Sequence, residues 1–190
     1  MKFFLTTFMA MAFASISFGQ TNAESEAKVE KHQFAYNILT NVSYEKSIGN
    51  RTTLRFSGPI SAGVLYSKSS VTIYGHEESE WGYAIRPALD MEIRHYYDLN
   101  KRLQKGKKVA HNSGNYIAGV VAAAGPSIVE SDNMYVSDFT LTVGAMWGIQ
   151  RNYGKRFMMN VGIGPGVSFY DSTNEFTFVG GVTLGFRIGK

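Results

Sequence analysis

Four charged residues of both signs share one parity in the stretch Ile85 to Tyr97, IRPALDMEIRHYY: Arg86, Asp90, Glu92 and Arg94. In an extended strand they point to one side, with Leu89, Met91 and Ile93 on the other, because successive side chains alternate. In a lumen, opposite charges at this density can pair. Glu45, Arg55 and Arg187 lie on the polar parities of their own segments. They are the expected partners of Glu92 and Arg94 in a lumen charge network of structural role, with Asp90 one step deeper.

Few other residues have chemical reach. His76 sits beside Glu77, Glu78 and Ser79 in a long connection, where a histidine with a hydroxyl or an acid near the outer rim could serve catalysis. His95 falls on an apolar parity and His111 in a basic segment. No histidine and carboxylate set has metal-ligand spacing, and no glycine-rich loop leads from a strand into a helix. The chain is therefore read as a non-enzyme with no catalytic, cofactor or metal site. The run KRLQKGKKVAH gathers Lys101, Arg102, Lys105, Lys107 and Lys108 without matching acids. It is either a solvated turn or a contact for lipid phosphates or another anionic envelope component. The formal charge of +4 is small and local, which does not suit a nucleic-acid partner. No cysteine is present, which excludes a disulfide framework, a thiolate metal site and a lipid-modified N-terminal cysteine.

The elements that must position these groups read as strands. Hydrophobic residues make up 44% and charged ones 18%, with 20 glycines, a composition that fits a turn-rich β fold. Residues 1–19 form a secretory signal peptide with small Ser17 and Gly19 before the cleavage point; an uncleaved anchor is the rival. Residues 20–32 are a polar linker and 33–190 one domain. No apolar run in the mature chain nears the ~20 residues of a spanning helix. Alternation marks seven strands near 34–47, 51–66, 82–98, 116–130, 137–151, 157–171 and 176–189. Each reaches the roughly 9–11 residues that a tilted strand needs to cross a bilayer. An even count requires an eighth, either hidden before the first or made by folding the first in two. The expected fold is all-β, an up-and-down antiparallel transmembrane β-barrel of eight strands.

Periodicity does not say which face turns inward, and a soluble barrel would bury the apolar one. Glycine crowds the polar faces, as a narrow filled lumen requires. Gly144 and Gly148, Gly162 and Gly166, and Gly181 and Gly185 each form one lumen-facing row. Aromatic residues gather near strand ends (Tyr44, Tyr66, Trp81, Tyr83, Tyr96, Tyr97, Tyr116, Tyr153, Phe157, Phe169, Tyr170), as interfacial girdles do. All four prolines, Pro59, Pro87, Pro126 and Pro165, lie inside expected strands; Pro59, Pro126 and Pro165 each follow a glycine roughly mid-strand, and these three are expected to mark bulges or bends at one height.

The pieces VSYEKSIG, RHYYDLNKRLQKGK, NSGNY and GVTLGFRIGK resemble the small outer-membrane β-barrel proteins of unknown function found in Bacteroidetes. The resemblance implies an outer-membrane location in a Gram-negative bacterium and a C-terminal strand that closes the barrel from the periplasmic side, and it carries no activity. The expected partners are outer-membrane lipid and anionic envelope components, with the protein monomeric. The leading functional reading is a barrel with a side-chain-filled lumen in a structural, adhesive or envelope-contact role. A narrow pore for small solutes is the second, and a soluble periplasmic barrel that binds an apolar ligand the third.

Overall fold

A computed structural model describes residues 26–38, 41–69, 78–130, 137–170 and 173–189; for residues 41, 61–69 and 78–82 it describes the backbone alone. The expected signal peptide lies outside the described residues, as do His76 and Glu77. The strands are β1 (His32–Asn37), β2 (Asn41–Ser47), β3 (Thr52–Gly58), β4 (Ile60–Ser69), β5 (Glu78–Tyr96), β6 (Asn115–Ala124), β7 (Val129–Glu130), β8 (Thr140–Tyr153), β9 (Phe157–Tyr170) and β10 (Thr173–Ile188). All pairings are antiparallel, and eight of the strands close a ring in the order β3-β2-β1-β10-β9-β8-β6-β5 and back to β3. The fold is thus all-β and barrel-like.

The eighth strand arises within the first long segment, which folds back on itself. Its halves pair as Phe34↔Tyr44 and Tyr36↔Val42. In this register each residue meets one of its own parity, so apolar and polar faces continue unbroken through the reversal. Alternation alone cannot see such a turn. The 51–66 segment is likewise two strands, β3 and β4, separated at Pro59, and both pair with β5 in one continuous register.

Three prolines meet where β4 and the first half of β5 leave the ring as a separate arm. Ile60 pairs with Pro87, Ala88 N donates to Pro59 O at 2.8 Å, and Gly125 N donates to Pro87 O at 2.9 Å, one residue before Pro126. Pro165 sits inside β9, where the β8–β9 pairing skips from Gly144↔Gly166 to Trp147↔Ile163. Proline removes a ladder donor, and the missing pairs are those beside it.

The burial pattern is inverted relative to a water-soluble sheet. Leu89, Ile93, Phe176, Phe178 and Val182 are exposed on the outer surface, whereas Glu45, Arg55, Glu92, Arg94, Gln150 and Asn160 are buried inside. Leu89 is 67% exposed and Arg94 0%, although both lie on β5. Among the expected girdle aromatics, Tyr83, Tyr97, Tyr153 and Phe169 are exposed. Tyr96 and Tyr116 are not girdle residues: both point inward and are fully buried. Their even numbers place them on the parity of Arg94 and Ala118, and parity prevails over their position near strand ends.

One end of the ring is capped. The long connection expected between the 82–98 and 116–130 strands contains a short helix α1 (Leu99–Gln104) and a 3-10 turn at Ala110–Asn112. Leu99 is fully buried and packs with Tyr96, Tyr116, Ala27 and Val29. Residues 26–31, expected as plain linker, are thereby seated in the end of the ring. Ala27 N donates to Asn100 Oδ1 at 3.0 Å, Val29 N to Asn50 O at 2.9 Å and Glu30 N to Asn112 Oδ1 at 2.7 Å. The β2–β3 turn, the 154–156 turn and the end of β10 lie at this capped end.

Candidate functional site

The charged group inside the ring is assembled by strand register. Glu45 on β2 stands opposite Arg55 on β3, and Arg55 stands opposite Glu92 on β5. Three neighbouring strands thus carry a row of alternating charge at one height. Arg94 lies one pleat nearer the cap and Asp90 one pleat farther, where it faces Ser57. The Arg55 guanidinium donates through Nη1 to Glu92 Oε1 at 2.7 Å, and Arg94 Nε donates to Glu92 Oε2 at 2.6 Å. Glu92 therefore uses one oxygen for each arginine. Charge-assisted bonds of this length are the strong kind, and burial keeps solvent from screening them.

Neutral groups complete the cluster. Glu45 Oε1 accepts from Thr53 Oγ1 at 2.6 Å and from Tyr96 Oη at 2.9 Å. Arg94 Nη1 donates to Gln150 Oε1 at 2.9 Å, and its guanidinium carbon lies 4.4 Å from the centre of the Tyr116 ring. Tyr116 Oη in turn donates to Asn160 Oδ1 at 2.8 Å. Arg94 Nη2 has no hydrogen-bond partner, so the ring face is its principal compensation. The chain of contacts runs β2–β3–β5–β6–β9 and crosses the lumen. From the sequence, Tyr96 and Tyr116 read as girdle aromatics and Gln150 and Asn160 as polar-face residues, and nothing in their types or spacing ties them to the charges.

Two of the seven expected network members stand elsewhere. Arg187 is not a partner of Glu92 or Arg94: its Nη2 donates to Lys155 O in the 154–156 turn. The β9–β10 hairpin brings Arg187 down to that turn, a consequence of strand length that charge parity does not reveal. Arg86 lies on the lumen parity but toward the arm, where it donates to Gly125 O at 2.8 Å and Ser137 O at 2.9 Å. The remaining group holds two guanidinium groups, Arg55 and Arg94, and three carboxyls, Glu45, Asp90 and Glu92.

The basic run lies on the outside of the cap. Lys101, Lys105 and Lys107 are exposed, while Arg102 Nη2 donates to Lys108 O at 2.9 Å and Lys108 Nζ to Gly154 O at 3.1 Å. Beneath it His111 Nδ1 is 3.3 Å from Glu30 Oε1. Partial burial and the nearby Arg187 pull the His111 imidazole below its ordinary value, against the pull of Glu30, and Lys108 adds to the lowering. The expected acid and hydroxyl neighbours of His76 fall where side chains are outside the described residues. Among the described residues no group of three or more His, Asp and Glu is placed to hold a metal. The arrangement can neutralise buried charge and hold the strands in register. No family model, curated protein or solved structure matches the chain.

Proposed function

We propose that this chain is a small monomeric outer-membrane β-barrel of a Gram-negative bacterium, exported by its signal peptide, with a lumen filled at one end and a structural, adhesive or envelope-contact role. The observation that carries this reading is the inversion of burial: an ion cluster inside the ring and a belt of Leu, Ile, Val and Phe outside it. Exposed apolar area on that scale is unfavourable in water and neutral or favourable against hydrocarbon. A soluble barrel that holds an apolar ligand calls for the opposite arrangement. Fractionation followed by heat-modifiable gel mobility tests the reading: the chain is expected in the outer-membrane fraction with a folded form that runs differently until boiled. A water-soluble chain in the periplasm would sink it.

A filled lumen sets this reading apart from a narrow pore. Arg94, Tyr96, Tyr116, Leu99 and Gln150 are all fully buried between the ion row and the cap, and an eight-stranded ring is narrow enough for such side chains to block it at that level. Reconstituted protein should give no steady current in planar bilayers; stable channels of uniform size would favour the pore.

Orientation follows from the cap. Residues 26–31, which follow the exported leader, lie at the capped end, so that end should face the periplasm with Lys101, Lys105 and Lys107 directed at anionic envelope components there. An epitope inserted at Ser70 should be cut by protease on intact cells and one at Lys107 should survive. Cleavage at Lys107 with protection at Ser70 would reverse the topology.

A further inference from the structure

A cavity of about 670 Å³ lies in the lumen beyond the ion row, within the roughly 300–1,000 Å³ typical of small-molecule sites. Asp90, Ser57, Arg55 and Glu92 line it from one side and Asn160 and Val179 from the other. Ile38, Val182 and Leu184 line it too, although these three stand on the outward face and are exposed there. The space is thus bordered by residues of both faces where it meets β1 and β10.

Strand pairing explains the opening. β1 covers β10 only from Gly185 to Ile188, and one further bond joins Ile38 N to Leu184 O at 2.8 Å. β4, which would come next around the ring, pairs with β5 alone. Among the described residues, β10 from Thr173 to Thr183 therefore has a strand on one side only. Among the described residues, the short β1–β2 hairpin leaves a side gap beside β10.

The chemistry of the interior selects the occupant. Asn37 lines the cavity, is 4% exposed, and its Oδ1 is buried without a donor. Such an unfilled acceptor costs free energy until something donates to it. Asp90 accepts from Ser57 Oγ at only 3.3 Å, while the Nη1 of Arg55 is committed to Glu92. Three carboxyls against two guanidinium groups leave the site with surplus negative charge. The unmet acceptor of Asn37 and the sign together ask for a cationic donor.

We infer that the cavity binds a single-chain amphiphile with a protonated amino head, the ammonium donating to Asp90 and Asn37 and the alkyl chain leaving through the side gap past Ile38, Val182 and Leu184. Lateral access from the bilayer rests on the membrane reading proposed above; the pocket's preference for a cation does not. The two fail separately, because heat-modifiable mobility reports on the first and ligand selectivity on the second.

The test is calorimetric titration of the full-length mature protein, folded in non-ionic detergent at neutral pH, with octylamine, octanol and octanoate as probes. Octylamine should saturate one site, and octanol should bind roughly tenfold or more weakly for want of the charge-assisted bond. Asp90→Asn should weaken octylamine by about tenfold or more and leave octanol unchanged; Asn37→Leu, which removes the second acceptor without touching the ion row, should weaken it several-fold. Octanoate binding as tightly as octylamine, or octylamine binding equally to the wild type and Asn37→Leu, would overturn the proposal. So would an absence of saturable octylamine binding in a sample whose mobility is heat-modifiable.

Discussion

Glu92→Ala is expected to lower the stability of the folded protein by about 3–5 kcal/mol, since it leaves buried guanidinium groups without their carboxylate. Arg55 and Arg94 approach separate oxygens of Glu92 at 2.7 and 2.6 Å. Arg55 retains Asp90 and Ser57 nearby, so the stranded charge is chiefly that of Arg94, which is wholly buried and already has one nitrogen without a partner. Arg94→Met in the same background should recover half or more of the loss, because the penalty belongs to the unpaired charge rather than to the missing bond. Urea midpoints of Glu92→Ala, Arg94→Met and the double variant in lipid or detergent check this. A wild-type midpoint for Glu92→Ala would mean that water reaches these groups and that the lumen is open at the ion row.

The second large effect concerns Gly148. A methyl group there would come within 2.3 Å of Tyr116 Cζ and 2.4 Å of Tyr116 Oη, and Tyr116 cannot simply swing aside while it donates to Asn160 and stacks on Arg94. Gly148→Ala should therefore cost about 1–3 kcal/mol by overpacking. Gly119→Ala on the neighbouring strand, where the added carbon meets nothing within 4 Å, should stay within about 0.5 kcal/mol of wild type. Tyr116→Leu combined with Gly148→Ala should cost less than the sum of the two single changes. Additive costs in urea melts would place Tyr116 away from Gly148.

These two sites also show what alternation could and could not disclose. Parity placed Arg55, Glu92 and Arg94 on the polar faces of their strands, because a pleated strand has only two sides and the charges and aliphatics sorted cleanly between them. The crowding of glycine on those faces also had its reason in the sequence, since Tyr116 lies across Gly148. Parity is blind to height, however. Arg187 and Arg86 share the inner face with Glu92, yet strand length and the proline-marked arm carry them to other levels. It is blind to same-parity reversals as well, which is why β1 and β2 read as one strand. The cap was hidden for a different reason: Ala27, Val29 and Leu99 are three isolated apolar residues in polar surroundings, too few to form a pattern until the ring brings them together.

The inversion of burial is the central claim, and the absence of cysteine leaves a clean background for testing it directly. Single cysteines at Leu89 and Phe178, which are 67% and 69% exposed on the outer face, and at Ser57 and Asn160 inside, would carry a small environment-sensitive fluorophore in protein reconstituted into vesicles with and without brominated acyl chains. The account predicts strong quenching by bromine at Leu89 and Phe178 and little at Ser57 and Asn160. Equal quenching at all four positions, or none at Leu89 and Phe178, would contradict it.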